Sequence, residues 1–577
     1  MKRNDVDARP SMTRRGFLKL GGSAACTAGL GALTVASGSL LAPETAYATV
    51  EGDQTMLTPE EIAEAEESGL LATEPYVDAS VPSLMSADSK AVRTIGGALR
   101  YDTSALQAQD AWPSGSEWVI IASGESYSDS ICSGGLAGAL ACPILLVSKN
   151  NLPTSISDEI KALGASHAII LGGADVISTS VENSLRGLVS DTTRLWGATR
   201  YDTQVAVYQY GLQHNLWGTT AIIAYGENFA DALAVSPLSY KLKAPVFYVG
   251  ASGSLPESQL SSIMSSTTLS SFIIAGGTTV VPQSVEAQLK QKGTVTRLGG
   301  PTRYETSDLI AQYAVQSAGM TWDGMAIASG EVPFDALGGG AAQGRNNSVL
   351  ILRCDNGGNY QSKPAIPCSR PSSIRFYGGN DVFSGAYKAR LALSAGYTIY
   401  DIENFLAYID AGHGRLNSGA YDGGASSGSY VEHNLTQDLA NRVANQLRSR
   451  GVQVYVNSNN GEYKLHNPEA LNMGAAVLVS IHFNAGGGTG TESYIHTYHA
   501  AYGAEQLRSA IHPRLVSALG LRDRGKFREQ WAVTGGRVPG TLLEICFIDN
   551  GSDMSRYNSR RDAVASAIAE GIVNIKY

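Results

Sequence analysis

A histidine closes the run Ile409-Asp410-Ala411-Gly412-His413-Gly414. The apolar residues before it read as a buried strand. Glycine on either side permits a tight turn and leaves the imidazole open to a ligand. A second histidine, His482, stands in Val479-Ser480-Ile481-His482-Phe483-Asn484-Ala485, at the end of another apolar strand. Between them Glu432 heads a long amphipathic stretch whose apolar face is Leu435, Leu439, Val443 and Leu447. Two imidazoles and a carboxylate form the donor set of a catalytic zinc, with a fourth position left for water. Glu544 lies inside Leu542-Leu543-Glu544-Ile545-Cys546-Phe547-Ile548. A carboxylate in such a strand is costly unless paired or used. Beside a metal its raised pKa suits it to act as general base and then as general acid. The bland alternative pairs it with an arginine such as Arg524.

These residues need a scaffold. Residues 398–577 hold seven of the nine histidines. Their pattern predicts strands over 405–409, 452–456, 475–481, 490–497 and 541–548, with helices over 431–450, 502–519 and 561–575. His433 adjoins Glu432 and is the alternative third ligand. His466, His496 and His499 have no assigned role, although the last two follow a strand end and can line the cleft.

Residues 92–392 hold an internal repeat with a period of about 100 residues. Arg100-Tyr101-Asp102-Thr103 returns as Arg200-Tyr201-Asp202-Thr203 and as Arg303-Tyr304-Glu305-Thr306. Each is followed by a Gly-Glu element with a downstream aromatic and Asp, ending in Asp129, Asp231 or Asp335, and later by an apolar strand ending in Gly-Gly. Continuous apolar strands alternate with helices, which means parallel sheet and right-handed crossovers. Asp129 is expected to cap a helix running to Leu140. Copy three departs, with Gly338-Gly339-Gly340 where the others run helical and a loop inserted around Asn356–Lys363. No dinucleotide fingerprint or Walker loop appears, which excludes a nucleotide fold.

Ten Asp or Glu and one Lys fall in residues 51–91. That segment, with one short helix over 59–68, reads as an acidic linker. The bulk charge of the rest excludes a basic nucleic-acid binder. Thr13-Arg14-Arg15-Gly16-Phe17-Leu18-Lys19, an apolar run and Ala46-Tyr47-Ala48 read as a twin-arginine signal peptide cut after Ala48. No other run is long enough to span a bilayer. Cys132 and Cys142 bracket a helix that keeps them about 15 Å apart. Cys354 and Cys368 flank a Gly/Pro-rich loop and could pair, and Cys546 reads as plain core.

The repeats resemble the type 2 cell-wall-binding repeat. That resemblance implies three units about a pseudo-threefold axis, held to an anionic cell-wall polymer. Arg100, Arg200 and Arg303, with the Gly-Gly turns, are the candidate polymer-binding groups. The same motif serves equally as packing, with the carboxylate or Thr capping a helix and Arg pairing across the ring. The C-terminal segment is similar to the zinc-dependent N-acetylmuramoyl-L-alanine amidases. Asp-Ala-Gly-His-Gly, the helix-leading Glu, Ser-Ile-His-Phe-Asn-Ala, Gly-Thr-Glu-Ser-Tyr and Leu-Leu-Glu-Ile-Cys-Phe-Ile-Asp-Asn stand in that family's order. The resemblance implies Zn2+ on His413, Glu432 and His482, an acid/base at Glu544, and ligand-orienting groups at Asn484 and Glu492. Its substrate is peptidoglycan, cut between N-acetylmuramic acid and L-alanine. The loop from His413 to Glu432 is longer than the family pattern.

The expected architecture is α/β: three small parallel-sheet repeat domains in a pseudo-threefold arrangement, then a mixed-sheet zinc hydrolase domain. The limits drawn are 1–48 (signal), 49–91 (linker), 92–190, 191–293 and 294–394 (repeats), and 398–577 (catalytic). Two other readings share the motifs: a surface adhesion protein without turnover, and a zinc peptidase acting within the stem peptide.

Overall fold

The computed structural model describes residues 56–72, 75–76, 78, 90–355, 365–458 and 460–577. The signal peptide and the Asn356–Lys363 loop lie outside the described residues. No helix among the described residues is long and apolar enough to cross a membrane.

Three four-stranded parallel sheets form the repeat region. The first holds Trp118–Ser123, Ile144–Val147, His167–Leu171 and Asp191–Leu195. The second holds Thr220–Tyr225, Val246–Val249, Ser271–Ala275 and Thr294–Leu298. Each fourth strand therefore comes from the start of the next sequence repeat. The third sheet is completed by the first strand of the region, Val92–Ile95, which pairs in parallel with Ile374–Tyr377. The sheets thus cut across the limits drawn at 190/191 and 293/294. The Gly element after each such strand bonds to the helix that follows, so strand and helix pass from one unit to the next.

The repeated motif is absorbed by this joint. Thr103, Thr203 and Thr306 take the N–H of Gly97, Gly197 and Gly300 at 3.1, 3.2 and 3.0 Å. Asp202 and Glu305 close capping boxes with Thr199 and Thr302, and Asp102 accepts the N–H of Leu99 at 3.0 Å. Arg100 and Arg200 donate to the carbonyls of Gly124 and Gly226, both at 2.6 Å, and Arg303 does the same to Gly330. Arg100 also lies over Phe334 at 4.1 Å and Arg303 over Phe229 at 5.7 Å. These two ring contacts join one unit to another, whereas the carbonyl bonds stay within a unit.

Helices Gly134–Leu140, Ala230–Leu242 and Gly339–Arg345 meet between the sheets. Copy three is therefore helical here despite its glycines. A Cβ on Gly138 would lie 2.0 Å from the Tyr240 carbonyl oxygen, and one on Gly340 would lie 1.8 Å from Ser236 Oγ. Close helix approach demands glycine at these positions, which outweighs its poor helix propensity. The first of these helices starts at Gly134, so Asp129 does not cap it. Its carboxyl takes a hydrogen bond from Thr203 of the second unit instead. Cys354 and Cys368 form no disulfide with each other, and Cys132, Cys142 and Cys546 are not bridged to them or to one another.

The C-terminal domain is a six-stranded mixed sheet. Its order is Gln453–Asn457, Leu406–Ala411, Val477–Asn484, Gly540–Phe547, Thr491–His496 and Asp523–Glu529. Only the Gly540–Phe547/Thr491–His496 pair is antiparallel. Helix Glu432–Arg448 covers one face and packs on Arg561–Val573. The repeat region docks at the N-terminal ends of the central strands. A Cβ on Gly385 would meet the Gly474 carbonyl oxygen at 1.9 Å, and Arg537 pairs with buried Asp355 at 2.9 Å.

The acidic segment is not a free linker. Its helix, Pro59–Glu67, begins with a Thr58 capping box. Ala65 and Leu71 are buried against Leu465 of the C-terminal domain. Tyr76 packs edge-on to Tyr455, and Asp78 pairs with Arg448 at 2.7 Å. The apolar positions Leu57, Ile62, Ala65 and Leu71 supply the face that acidic composition obscured.

Candidate metal centre

The site forms where the central strands end. Leu406–Ala411 passes into Gly412 and His413, whose backbone is left-handed at φ 70°. This turn swings the ring back over the sheet edge. Val477–Asn484 delivers His482, and Gly540–Phe547 places Glu544 beside it in parallel register. Glu432 opens its helix without any side-chain cap behind it. Its carboxylate does not merely complement the helix dipole, because it turns inward. Oε1 accepts from the N–H of Phe483 at 2.9 Å and Oε2 from Ala425 at 2.8 Å. Oε1 also lies 3.1 Å from His413 Nε2 and 3.2 Å from His482 Nδ1.

Ligand atoms of His413, Glu432 and His482 all lie within 4.8 Å of one another, so the three can hold a metal ion. His433 does not join them. Its Nδ1 is 3.2 Å from the Gly412 carbonyl, and Tyr421 packs edge-on to its ring. Two glycines keep the cluster open. A Cβ on Gly424 would lie 2.6 Å from both Glu432 Oε2 and His413 Nε2, and one on Gly412 would lie 2.7 Å from His482 Nδ1. The electrostatics favour a cation. Burial pushes Glu432 up, but hydrogen bonds to His413 and His482 outweigh it and hold the carboxyl below its ordinary range. Burial likewise works to lower His413, yet Asp422 and Glu432 raise it to about 10. Two nitrogens and one carboxylate in a buried, negatively biased cradle fit a small divalent ion.

Glu544 has no arginine. Arg524 pairs with Glu492 instead. Glu544 Oε2 is buried without a hydrogen-bond partner. Burial drives its carboxyl well above the ordinary range, Glu432 and Glu492 add to the rise, and His413 opposes it. Asn484 and Glu492 were expected to orient the ligands, but their hydrogen bonds run elsewhere. Asn484 Nδ2 donates to Glu492 at 2.9 Å, and the Tyr494 hydroxyl donates to Glu492 at 2.7 Å. Glu492 stands opposite Glu544 on the antiparallel strand. It is thus neutralised by Arg524 while Glu544 is left unpaired.

His496 and His499 sit at the other end of the sheet. The strand Thr491–His496 runs against its neighbour, so its end lies near Gly540 rather than near Glu544. His466 is buried under the site, 3.2 Å from Asp410, which Ser480 also bonds at 2.6 Å. The pair ties the ends of two site-bearing strands together. One residue escaped sequence reasoning altogether. Asp422 Oδ2 lies 2.8 Å from His413 Nδ1. It sits in a two-residue strand, Tyr421–Asp422, paired with Gly414–Arg415. An Asp after a Gly-His-Gly turn was the available signal, but such a short ladder has no periodicity.

Fold and site define a mixed-sheet α/β domain with a candidate metal centre, docked on a three-unit repeat module. Residues 408–574 match the family model described as N-acetylmuramoyl-L-alanine amidase. Residues 94–182, 194–286 and 297–388 each match cell wall binding domain 2. The chain therefore carries an N-acetylmuramoyl-L-alanine amidase domain and three cell wall binding repeats, which place it at the cell wall or surface. It is 28% identical over 508 residues to N-acetylmuramoyl-L-alanine amidase LytC of Bacillus subtilis, covering 86% of this chain and 96% of that one. A sporulation-specific N-acetylmuramoyl-L-alanine amidase of the same organism is 32% identical over 29% of this chain and 65% of its own. Among solved structures, Cwp6 from Clostridium difficile is similar over 88% of this chain and 82% of that one, at 20% identity and a TM-score of 0.46.

Proposed function

We propose that this chain is a zinc-dependent hydrolase of the amide between the lactyl group of N-acetylmuramic acid and L-alanine of the stem peptide. His413, Glu432 and His482 would hold the zinc. Bound there, it supplies Lewis acidity toward the scissile carbonyl. Glu544 takes a proton from the attacking water and returns it to the L-alanine nitrogen as the C–N bond breaks. Its unpartnered Oε2 is the observation that carries this role, because a buried carboxyl free of ion pairs holds a proton more firmly than an ordinary one and can hand on the proton it has accepted. Arg524 pairs with Glu492 and so leaves Glu544 free of an ion pair.

The repeats hold the enzyme on an anionic wall polymer and raise its local concentration there. Arg100 and Arg303 also help to fix the ring, since each lies over a phenylalanine of another unit, while Arg200 bonds the Gly226 carbonyl within its own. Export follows the twin-arginine route, with the leader removed after Ala48. The test is digestion of purified sacculi with and without zinc. Products ending in intact muramic acid and in free L-alanine amines support the reading. Cuts inside the stem peptide would make the enzyme a peptidase, and zinc uptake without any product would make it a binding protein.

A further inference from the structure

We infer that Asp422 is a positioning residue that orients the metal ligand His413, supplied by the hairpin that lengthens the loop between His413 and Glu432. The inference rests on the ligand reading above. A left-handed backbone at His413 does not by itself fix the ring, and Gly414 beside it is left-handed too, at φ 127°. The ring is fixed from outside. Asp422 Oδ2 takes the Nδ1 proton at 2.8 Å, while Oδ1 takes the N–H of Gly424 at 2.9 Å. With Nδ1–H held by Asp422, Nε2 is the nitrogen turned to Glu432 Oε1 and the one left to ligate when a metal takes the place of its proton. A carboxylate behind a ligating imidazole fixes its tautomer and raises its basicity. His482 is held differently, with Nδ1 toward Glu432 and its ring packed over Gly412.

The hairpin is held in place. Gly414 pairs with Asp422 and Arg415 with Tyr421. The N–H of Gly461 donates to the Arg415 carbonyl at 2.8 Å, and Asn417 donates its N–H to Glu462 Oε1 at 2.6 Å. The long loop is therefore an ordered support whose inward residue reaches the metal ligand.

The test is zinc affinity by chelator competition on full-length protein, for wild type and for Asp422→Ala, Asp422→Asn and Glu462→Ala. Glu462→Ala loosens the hairpin without touching His413. Asp422→Ala should bind zinc roughly 10–100-fold more weakly. Asp422→Asn, which keeps an acceptor but loses the charge, should fall between. Glu462→Ala, which loosens the hairpin but keeps the Asp422 carboxylate, should lose clearly less than Asp422→Ala, and all zinc-free proteins should show the same circular dichroism. Asp422→Ala within about twofold of wild type would overturn the inference, as would an equal loss in Glu462→Ala. A wild type that takes up no zinc would instead overturn the ligand reading itself.

Discussion

Glu544 and His482 stand side by side in register on adjacent parallel strands, so a carboxyl without a partner is fixed next to an imidazole that faces Glu432. Backbone pairing sets this placement, not a flexible loop, which is why the two groups need no further hydrogen bond to stay together. The repeat module packs on the opposite ends of these strands, at Gly474 and Arg537. The candidate metal centre and the repeat module therefore occupy different ends of one sheet.

Replacing Glu544 should separate chemistry from stability. Glu544→Gln should lose about 100- to 10,000-fold in hydrolysis. In zinc-free protein it should also be more stable than wild type at pH 7, by about 1 kcal/mol. The sign follows from the raised carboxyl: its contribution to stability is present below the unfolded value near 4.5 and is lost as pH rises through the folded one. Denaturant unfolding at pH 5 and pH 7 checks this, and the gap between variant and wild type should widen at the higher pH.

His496 gives the fold an acid limit. It is buried, and its Nδ1 accepts the N–H groups of Tyr498 and His499 at 3.1 and 3.0 Å. Burial, with His499 nearby, lowers it to about 4. A depressed histidine adds stability above the unfolded value of 6.5, and that stability is lost as pH falls through about 4. The loss should approach about 3 kcal/mol. In His496→Asn, which retains an acceptor, unfolding free energy should be flatter by that amount between pH 6.5 and 4.

The docking of the two halves should depend on Asp355. Its side chain is 2% exposed and is met by Arg537 at 2.9 Å and Arg390 at 3.8 Å. Arg537→Ala leaves the buried carboxylate short of a partner, at a cost of about 3 kcal/mol. Calorimetry should then resolve separate transitions for the repeat module and the C-terminal domain. Hydrolysis of a soluble muropeptide should be unchanged.

The N-terminal segment should behave as part of the C-terminal domain. Leu71 is 3% exposed and packs in the cluster with Ala65 and Leu465. Leu71→Ala should cost about 2–3 kcal/mol. An unchanged unfolding midpoint would show that the packing of this segment adds nothing to stability.

The strands leading to His413, His482 and Glu544 were legible because buried parallel strands are continuous apolar runs, and each carries or runs into one residue out of character with it. Strand Asp523–Glu529 was not, because Arg524, Lys526 and Arg528 make an exposed edge strand look like loop. The pairing of Val92–Ile95 with Ile374–Tyr377 was hidden for a different reason: nothing local in four residues says which sheet they join. The acidic segment misled because its charges face solvent while a few apolar residues decide its place. Asp422 was missed because a ladder of two residues leaves no pattern.

Mass spectrometry of muropeptides released from sacculi by the zinc-loaded protein tests the central claim most directly. The account predicts glycan strands with intact lactyl carboxylates and stem peptides beginning at a free L-alanine, and neither from Glu544→Gln. Stem peptides cut internally, or equal release by that variant, would contradict it.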